Sequence, residues 1–285
     1  MKKLISLLVV LLAISLTLFG AVSGSGTAKL TAAVGKGFSV DAKADLSYAL
    51  KIPMLEGEGP LFSGNNLKVK AHVGLSPIAV TGSVDAVLTP IAIAEVSLGG
   101  GAGTGWDLSL MKLEGIRLQS GTDLVSDKLG GAYYFGRAGA ALQFDTGSVL
   151  SGDWLSILVR TYHELNYSGY SNADAGQVWE YETGGGMVNG FNYKGEYVLA
   201  YQMPIMVNLV GVQLESFVYN AFDSGHSDFL FDVSGLVNIE VAKNTSVLAV
   251  VQFSNYQKDT DDLNKLVLRD AVGFKRVAVI ASYSF

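Results

Sequence analysis

FSVDAKADLSYALKI, residues 38–52, alternates over its whole length. Phe38, Val40, Ala42, Ala44, Leu46, Tyr48, Leu50 and Ile52 are apolar, and between them stand Ser39, Asp41, Lys43, Asp45, Ser47, Ala49 and Lys51. A strand points successive side chains to opposite faces, so this segment has one oily face and one charged face. Ordinary strands average only about 5–6 residues. At about 3.3 Å per residue and a tilt of some 45°, residues 38–52 reach about 35 Å vertically, enough to cross a bilayer core.

The pattern recurs along the chain. Residues 67–76, 191–203 and 228–241 alternate almost as cleanly, and weaker examples lie at 27–34, 78–88, 91–98, 132–145, 154–167, 205–219 and 245–255. Turn chemistry separates them: GKG at 35–37, Ser76-Pro77, Thr89-Pro90, DTGSVLSGD at 145–153, Met203-Pro204 and AKNT at 242–245. Proline is expected only at these breaks and in the 53–66 connection. Longer connections fall at 99–130, 168–188 and 256–270. Within the first, GGGAGTGW at 99–106 reads as a mobile loop. WDLSLMKLEGIRL at 106–118 begins to alternate and then loses register, which leaves a further hairpin there open. Long and short connections alternate from the C-terminus backwards, the asymmetry of membrane barrels, and the alternation fails only near the N-terminus.

Composition agrees. The chain opens with Lys2 and Lys3, an apolar run from Leu4 to Gly20 and small residues at 21–23, which reads as a signal peptide over 1–23. The remainder, 24–285, reads as a single domain. It has no Cys, so no disulfide or thiolate metal site is available. Without Lys2 and Lys3 the balance is 18 basic against 26 acidic residues, a net −8, which argues against nucleic-acid binding. The 34 glycines, 13 tyrosines and 13 phenylalanines favour turns and β-structure. The expected fold is an all-β, transmembrane, antiparallel up-and-down β-barrel of about twelve strands, within a range of ten to fourteen. The alternative is a soluble β-sandwich whose charged faces meet water. Strand length and recurrent outward tyrosines such as Tyr193, Tyr197 and Tyr201 count against it.

The chain ends KRVAVIASYSF. Val277, Val279, Ala281, Tyr283 and Phe285 share one face over a length suited to a tilted spanning strand, with Lys275 expected at the far headgroups. This ending resembles the C-terminal assembly signal of bacterial outer-membrane β-barrel proteins, with Phe285 terminal and Tyr283 two residues before it; Ala281 is smaller than the usual residue at the next position. The resemblance implies an integral barrel of the outer membrane, surrounded by its lipids, delivered by periplasmic chaperones and inserted by the barrel-assembly machinery.

A Lys or Arg facing lipid near the midplane costs about 2–4 kcal/mol, whereas a wet lumen accepts it. That difference assigns Asp41, Lys43, Asp45, Lys68, Lys70, His72, Asp85, Arg137, Arg160, Lys194, Glu196, Asp232, Glu240 and Arg276 to the inside as pore-lining residues. The other reading of the same charges is a plugged, salt-bridged interior. No catalytic constellation stands out. His72, His163 and His226 lie apart, on an inward face, an outward face and a loop. His163-Glu164-Leu165 and His226-Ser227-Asp228 match neither the His-x-Ser-Asn-Gly of outer-membrane phospholipases nor the His-x-Ser of deacylases. No cofactor or metal site is expected. The chain therefore reads as a monomeric, non-enzymatic narrow pore for passive movement of small hydrophilic solutes. The alternative is a non-conducting structural or adhesive barrel displaying its loops.

Overall fold

The computed structural model describes residues 22–36 and 39–285. Residues 1–21 of the signal peptide expected over 1–23, and Phe38 of the opening stretch, lie outside the described residues.

Seventeen strands follow in chain order: β1 (Ser23–Gly35), β2 (Val40–Pro53), β3 (Asn66–Leu75), β4 (Ala79–Ile91), β5 (Ala94–Gly105), β6 (Asp107–Leu108), β7 (Leu113–Glu114), β8 (Ile116–Ser120), β9 (Asp123–Ser126), β10 (Tyr133–Asp145), β11 (Ser156–Tyr170), β12 (Trp179–Tyr181), β13 (Gly190–Gln202), β14 (Val207–Val218), β15 (Leu230–Ala242), β16 (Thr245–Asp259) and β17 (Lys265–Ser284). Twelve of them form one closed antiparallel ring, in the order β1-β17-β16-β15-β14-β13-β11-β10-β5-β4-β3-β2. Each pairs with its nearest wall strands in sequence, and β1 against β17 completes the ring. Closure leaves no free sheet edge, the condition for a β-structure in hydrocarbon.

The period of 2 sorts the two faces. The exposed large apolar residues stand on one parity of each strand: Leu46 and Tyr48 on β2, Val96 and Leu98 on β5, Leu142 and Phe144 on β10, Leu199 on β13, Val277 and Val279 on β17. The charged residues stand on the other parity. Aromatics mark the two rims of the apolar belt. Tyr134, Tyr167 and Phe191 meet at one end, with ring centroids 6.3 and 5.1 Å apart, and Phe144, Trp154, Tyr283 and Phe285 stand exposed at the other. From Tyr134 to Phe144 along β10 the tilted rise is about 25 Å, the height of a membrane-barrel apolar band. A soluble sandwich buries such a face between its sheets; here it is the outer surface. The molecule is a transmembrane β-barrel of the outer-membrane type.

The start of β1 and the end of β17 meet at one rim, the closing end, where the Gly26 amide donates to the Phe285 carbonyl (2.7 Å) and the Phe285 amide to the Gly26 carbonyl (3.0 Å). The opposite rim, the loop end, carries the connections 106–132, 171–189 and 219–229. Two of these fold together. Strand β8 lies between β9 and β12 in a three-stranded sheet, and Ile116, Tyr170 and Trp179 are fully buried in its small core with Ala79 and Tyr181.

Four expectations need correction. GGGAGTG is not a mobile loop: residues 99–105 continue β5, pairing with β4 throughout and with β10 as far as Gly103. The connection expected at 256–270 shrinks to 260–264, because β16 and β17 run on past the wall as a hairpin. Pro90 lies inside β4, where the register slips between Leu88 and Ile91; an irregular strand end tolerates the missing donor. Lys275 does not reach the far headgroups. A bulge at Gln252/Phe253 opposite Arg276 and Phe274 inserts one residue into the β17 side of the ladder, and Lys275 turns inward beside Arg276.

Candidate functional site: the charged lumen

The fourteen residues expected inside all stand on the inward parity. The structure brings six of them into three pairs. His72 Nε2 lies 2.9 Å from Asp45 Oδ1. Arg137 donates from Nε (2.7 Å) and Nη2 (2.6 Å) to the two oxygens of Asp85. Arg160 donates to Glu196. Four more find partners that the strand pattern had not singled out: Lys43 with Glu182 (3.8 Å), Lys68 with Glu95 (3.0 Å), Lys194 with Glu215 (3.0 Å) and Asp232 with Lys275 (2.6 Å). Arg276 Nε donates to Gln252 Oε1 at 2.8 Å. Asp41 and Glu240 sit exposed toward the loop end and the closing end of their strands, and Lys70 has no carboxylate within salt-bridge distance among the described residues. Glu95 and Glu215 stand on inward positions of wall strands and were legible from parity; Lys275 was hidden by its bulge, and Glu182 lies outside the wall.

Three carboxylates form one row. Glu196 is directly opposite Glu215, and Glu215 directly opposite Asp232. Like charges side by side on one face repel. Arg160, Lys194 and Lys275 each hold one of the three. Aromatic rings back the cations: Arg137 lies 5.3 Å from the Phe135 centroid, Arg160 5.4 Å from Tyr162, Lys194 5.8 Å from Phe217 and Lys275 4.9 Å from Tyr256.

Strand β5 explains how side chains cross the wall's inner surface. Its inward positions 99, 101 and 103 are glycines, and they form a furrow. A β-carbon on Gly99 would lie 2.7 Å from Asp85 Cγ, and one on Gly103 2.6 Å from the Tyr181 hydroxyl. Tyr181 belongs to the small loop-end sheet. Its phenol oxygen sits 2.7 Å from Thr81 Oγ1 and 2.9 Å from the Val80 carbonyl, and its ring stacks on Tyr133 at 4.5 Å. Burial pushes its phenol up to about 12, helped by the Glu182 charge and opposed by the Thr81 hydrogen bond. On either side of it, Glu182 reaches Lys43 on β2, and Glu180 accepts from Lys258 Nζ on β16 (2.7 Å), Asn264 Nδ2 (3.2 Å) and Arg117. Three consecutive residues thus tie the sheet to three separate parts of the wall. The sequence pattern missed this strap because β12 is only three residues long.

His163 faces outward, between Thr161 Oγ1 (2.9 Å) and the Tyr193 hydroxyl (2.7 Å), and His226 lies in a loop. Among the described residues, no three His, Cys, Asp or Glu side chains gather as metal ligands.

No family model matches the chain. No curated protein matches it significantly in sequence. Among solved structures, a KdgM porin is 10% identical over 91% of this chain and 99% of its own, with a TM-score of 0.42. OmpT of Vibrio cholerae, expressed in the outer membrane, is 9% identical over 93% and 97%, with a TM-score of 0.44. OmpF of Salmonella typhi is 9% identical over 93% and 97%, with a TM-score of 0.36. These likenesses stop at the β-barrel and say nothing of what passes through this one.

Proposed function

We propose that the protein is a narrow outer-membrane pore through which small hydrophilic solutes move passively, without catalysis. The observation that carries this reading is the state of the inward charges. Lys68, Arg137 and Lys194 keep 28–32% of their side-chain surface accessible although the wall around them is closed. A plugged interior would bury those cations, at a cost of several kcal/mol each. Water that reaches them supplies a polar path.

A second reading has its own support. The sheet of β8, β9 and β12 is strapped to the wall on three sides, which favours a barrel closed at its loop end that serves to display its loops. Planar-bilayer recording separates the two. Stepwise conductance from the wild-type protein is expected for the pore. Silence from both the wild type and a variant with the strap cut, E180A/Y181A, would overturn it.

A further inference from the structure

Most cations of the lumen are spoken for: Lys43, Lys68, Arg137, Arg160, Lys194 and Lys275 each hold a carboxylate. Of the wall-strand cations, Lys29, Lys51, Lys70, Arg269 and Arg276 have no carboxylate oxygen within 4.0 Å among the described residues. These five are not scattered. They stand on β1, β2, β3 and β17, four neighbouring strands of the ring.

The tightest grouping lies toward the closing end of β2 and β3. Lys51 and Lys68 are directly opposite each other in the ladder, both inward, and Lys70 is the next inward residue of β3. Side-by-side ammonium groups repel, and a chain that keeps them gains nothing in stability from the arrangement. The one carboxylate paired with any of the three, Glu95, lies on Lys68 and leaves Lys51 and Lys70 without a partner among the described residues. Asp85, directly opposite Lys70, gives both oxygens to Arg137. Three cations against one carboxylate leave a surplus of two positive charges. The acidic row Glu196, Glu215 and Asp232 cannot neutralise it: β14 stands six strands from β3 in the ring of twelve, on the far side of the bore, and each carboxylate already holds its own cation.

We propose that Lys51, Lys68 and Lys70 form a binding site for a small, multiply charged anion carrying phosphate or carboxylate groups. The proposal rests on the pore reading and deepens it by naming the class of solute that the lumen selects. An anion between Lys51 and Lys70 supplies the missing counter-charge, and Lys68, steadied by Glu95, completes the cradle. Because the three side chains face the lumen, phosphates of the surrounding lipid lie on the wrong side of the wall.

The test uses the full chain refolded in detergent micelles, with inorganic phosphate at pH 8 as the probe. Isothermal titration is expected to show phosphate binding to the wild type and at least tenfold weaker binding to K51Q/K70Q. A control variant at two turn lysines, K36Q/K243Q, should bind as the wild type does. Heat-modifiable gel mobility confirms that each variant is folded. Equal binding by the wild type and K51Q/K70Q, or no binding by the wild type, overturns the site. In planar bilayers, phosphate added to the closing-end side should reduce the wild-type current and leave the K51Q/K70Q current unchanged. Titration in micelles needs no current, so silence from both the wild type and E180A/Y181A sinks the pore reading while phosphate binding still decides the site.

Discussion

Arg137 closes on Asp85 over the top of Gly99. The three residues lie side by side in the ladder on β10, β4 and β5, and both guanidinium bonds, 2.7 and 2.6 Å, pass above a position with no side chain. Valine at 99 must push the carboxylate aside, so G99V is expected to destabilise the barrel by about 1–3 kcal/mol. Thermal unfolding in detergent, followed by gel mobility, measures the loss. G136V is the control. Gly136 faces outward with nothing within 4 Å of an added β-carbon, and its stability should stay close to wild type.

The strap through Tyr181 should loosen when its hydroxyl is removed. Y181F keeps the ring against Tyr133 and loses the contacts to Thr81 and Val80. A net loss of about 1 kcal/mol predicts about fivefold faster amide exchange at 116–120 and 179–181, with no change in the wall strands. Exchange mass spectrometry resolves the two regions.

The same phenol makes the strap sensitive to alkali. Docked, Tyr181 is held up to about 12 by burial; released, it ionises near 10. Its contribution to docking is complete below about pH 10 and is lost as pH rises through about 12, because only the released form is then deprotonated. Protease nicking of residues 171–189 should rise across that window in the wild type. Y181F should lose most of the pH dependence.

Glu180 is the strap's charge hub. Its side chain is 2% exposed and faces Arg117 and Lys258, while the Gly185 amide donates to it at 3.1 Å. E180A strips Lys258 of its carboxylate and leaves Arg117 with Glu114 at 3.9 Å, at a cost of about 3–5 kcal/mol. The expected result is protease cleavage within 106–132 and 171–189 from a barrel that still migrates as folded. In bilayers the conductance of E180A should exceed that of the wild type.

At the other rim, Phe285 contributes backbone as well as an aromatic ring. Deleting it removes both hydrogen bonds to Gly26 and the stack on Tyr283, whose ring lies 6.2 Å away. Refolding into detergent should give a lower yield of the heat-modifiable form, whereas F285Y, which keeps the backbone and the ring, should refold as the wild type does.

The twelve wall strands were legible because period 2 is local: from Val40 to Ile52 each residue states its own face, and neighbouring strands in sequence pair in space. The same alternation placed Asp45, His72, Asp85 and Arg137 inside. It could not say which would meet, since Asp85 and Arg137 are 52 residues apart and join only through a glycine on the strand between them. Glycines carry no pattern, so the second half of β5, residues 99–105, read as a loop until its neighbours on both sides supplied the hydrogen bonds. At Lys275 one inserted residue reversed the parity, and a bulge is a property of two paired strands, which no single strand announces. The loop-end sheet was the least visible, because β8 and β12 are short and Leu118 meets Trp179 only after the ring has closed beneath them. Alternation by itself determined that this chain is a barrel with its charges inside; tertiary contact decided which charges are neutralised, which lysines are left without a partner, and what lies across the mouth.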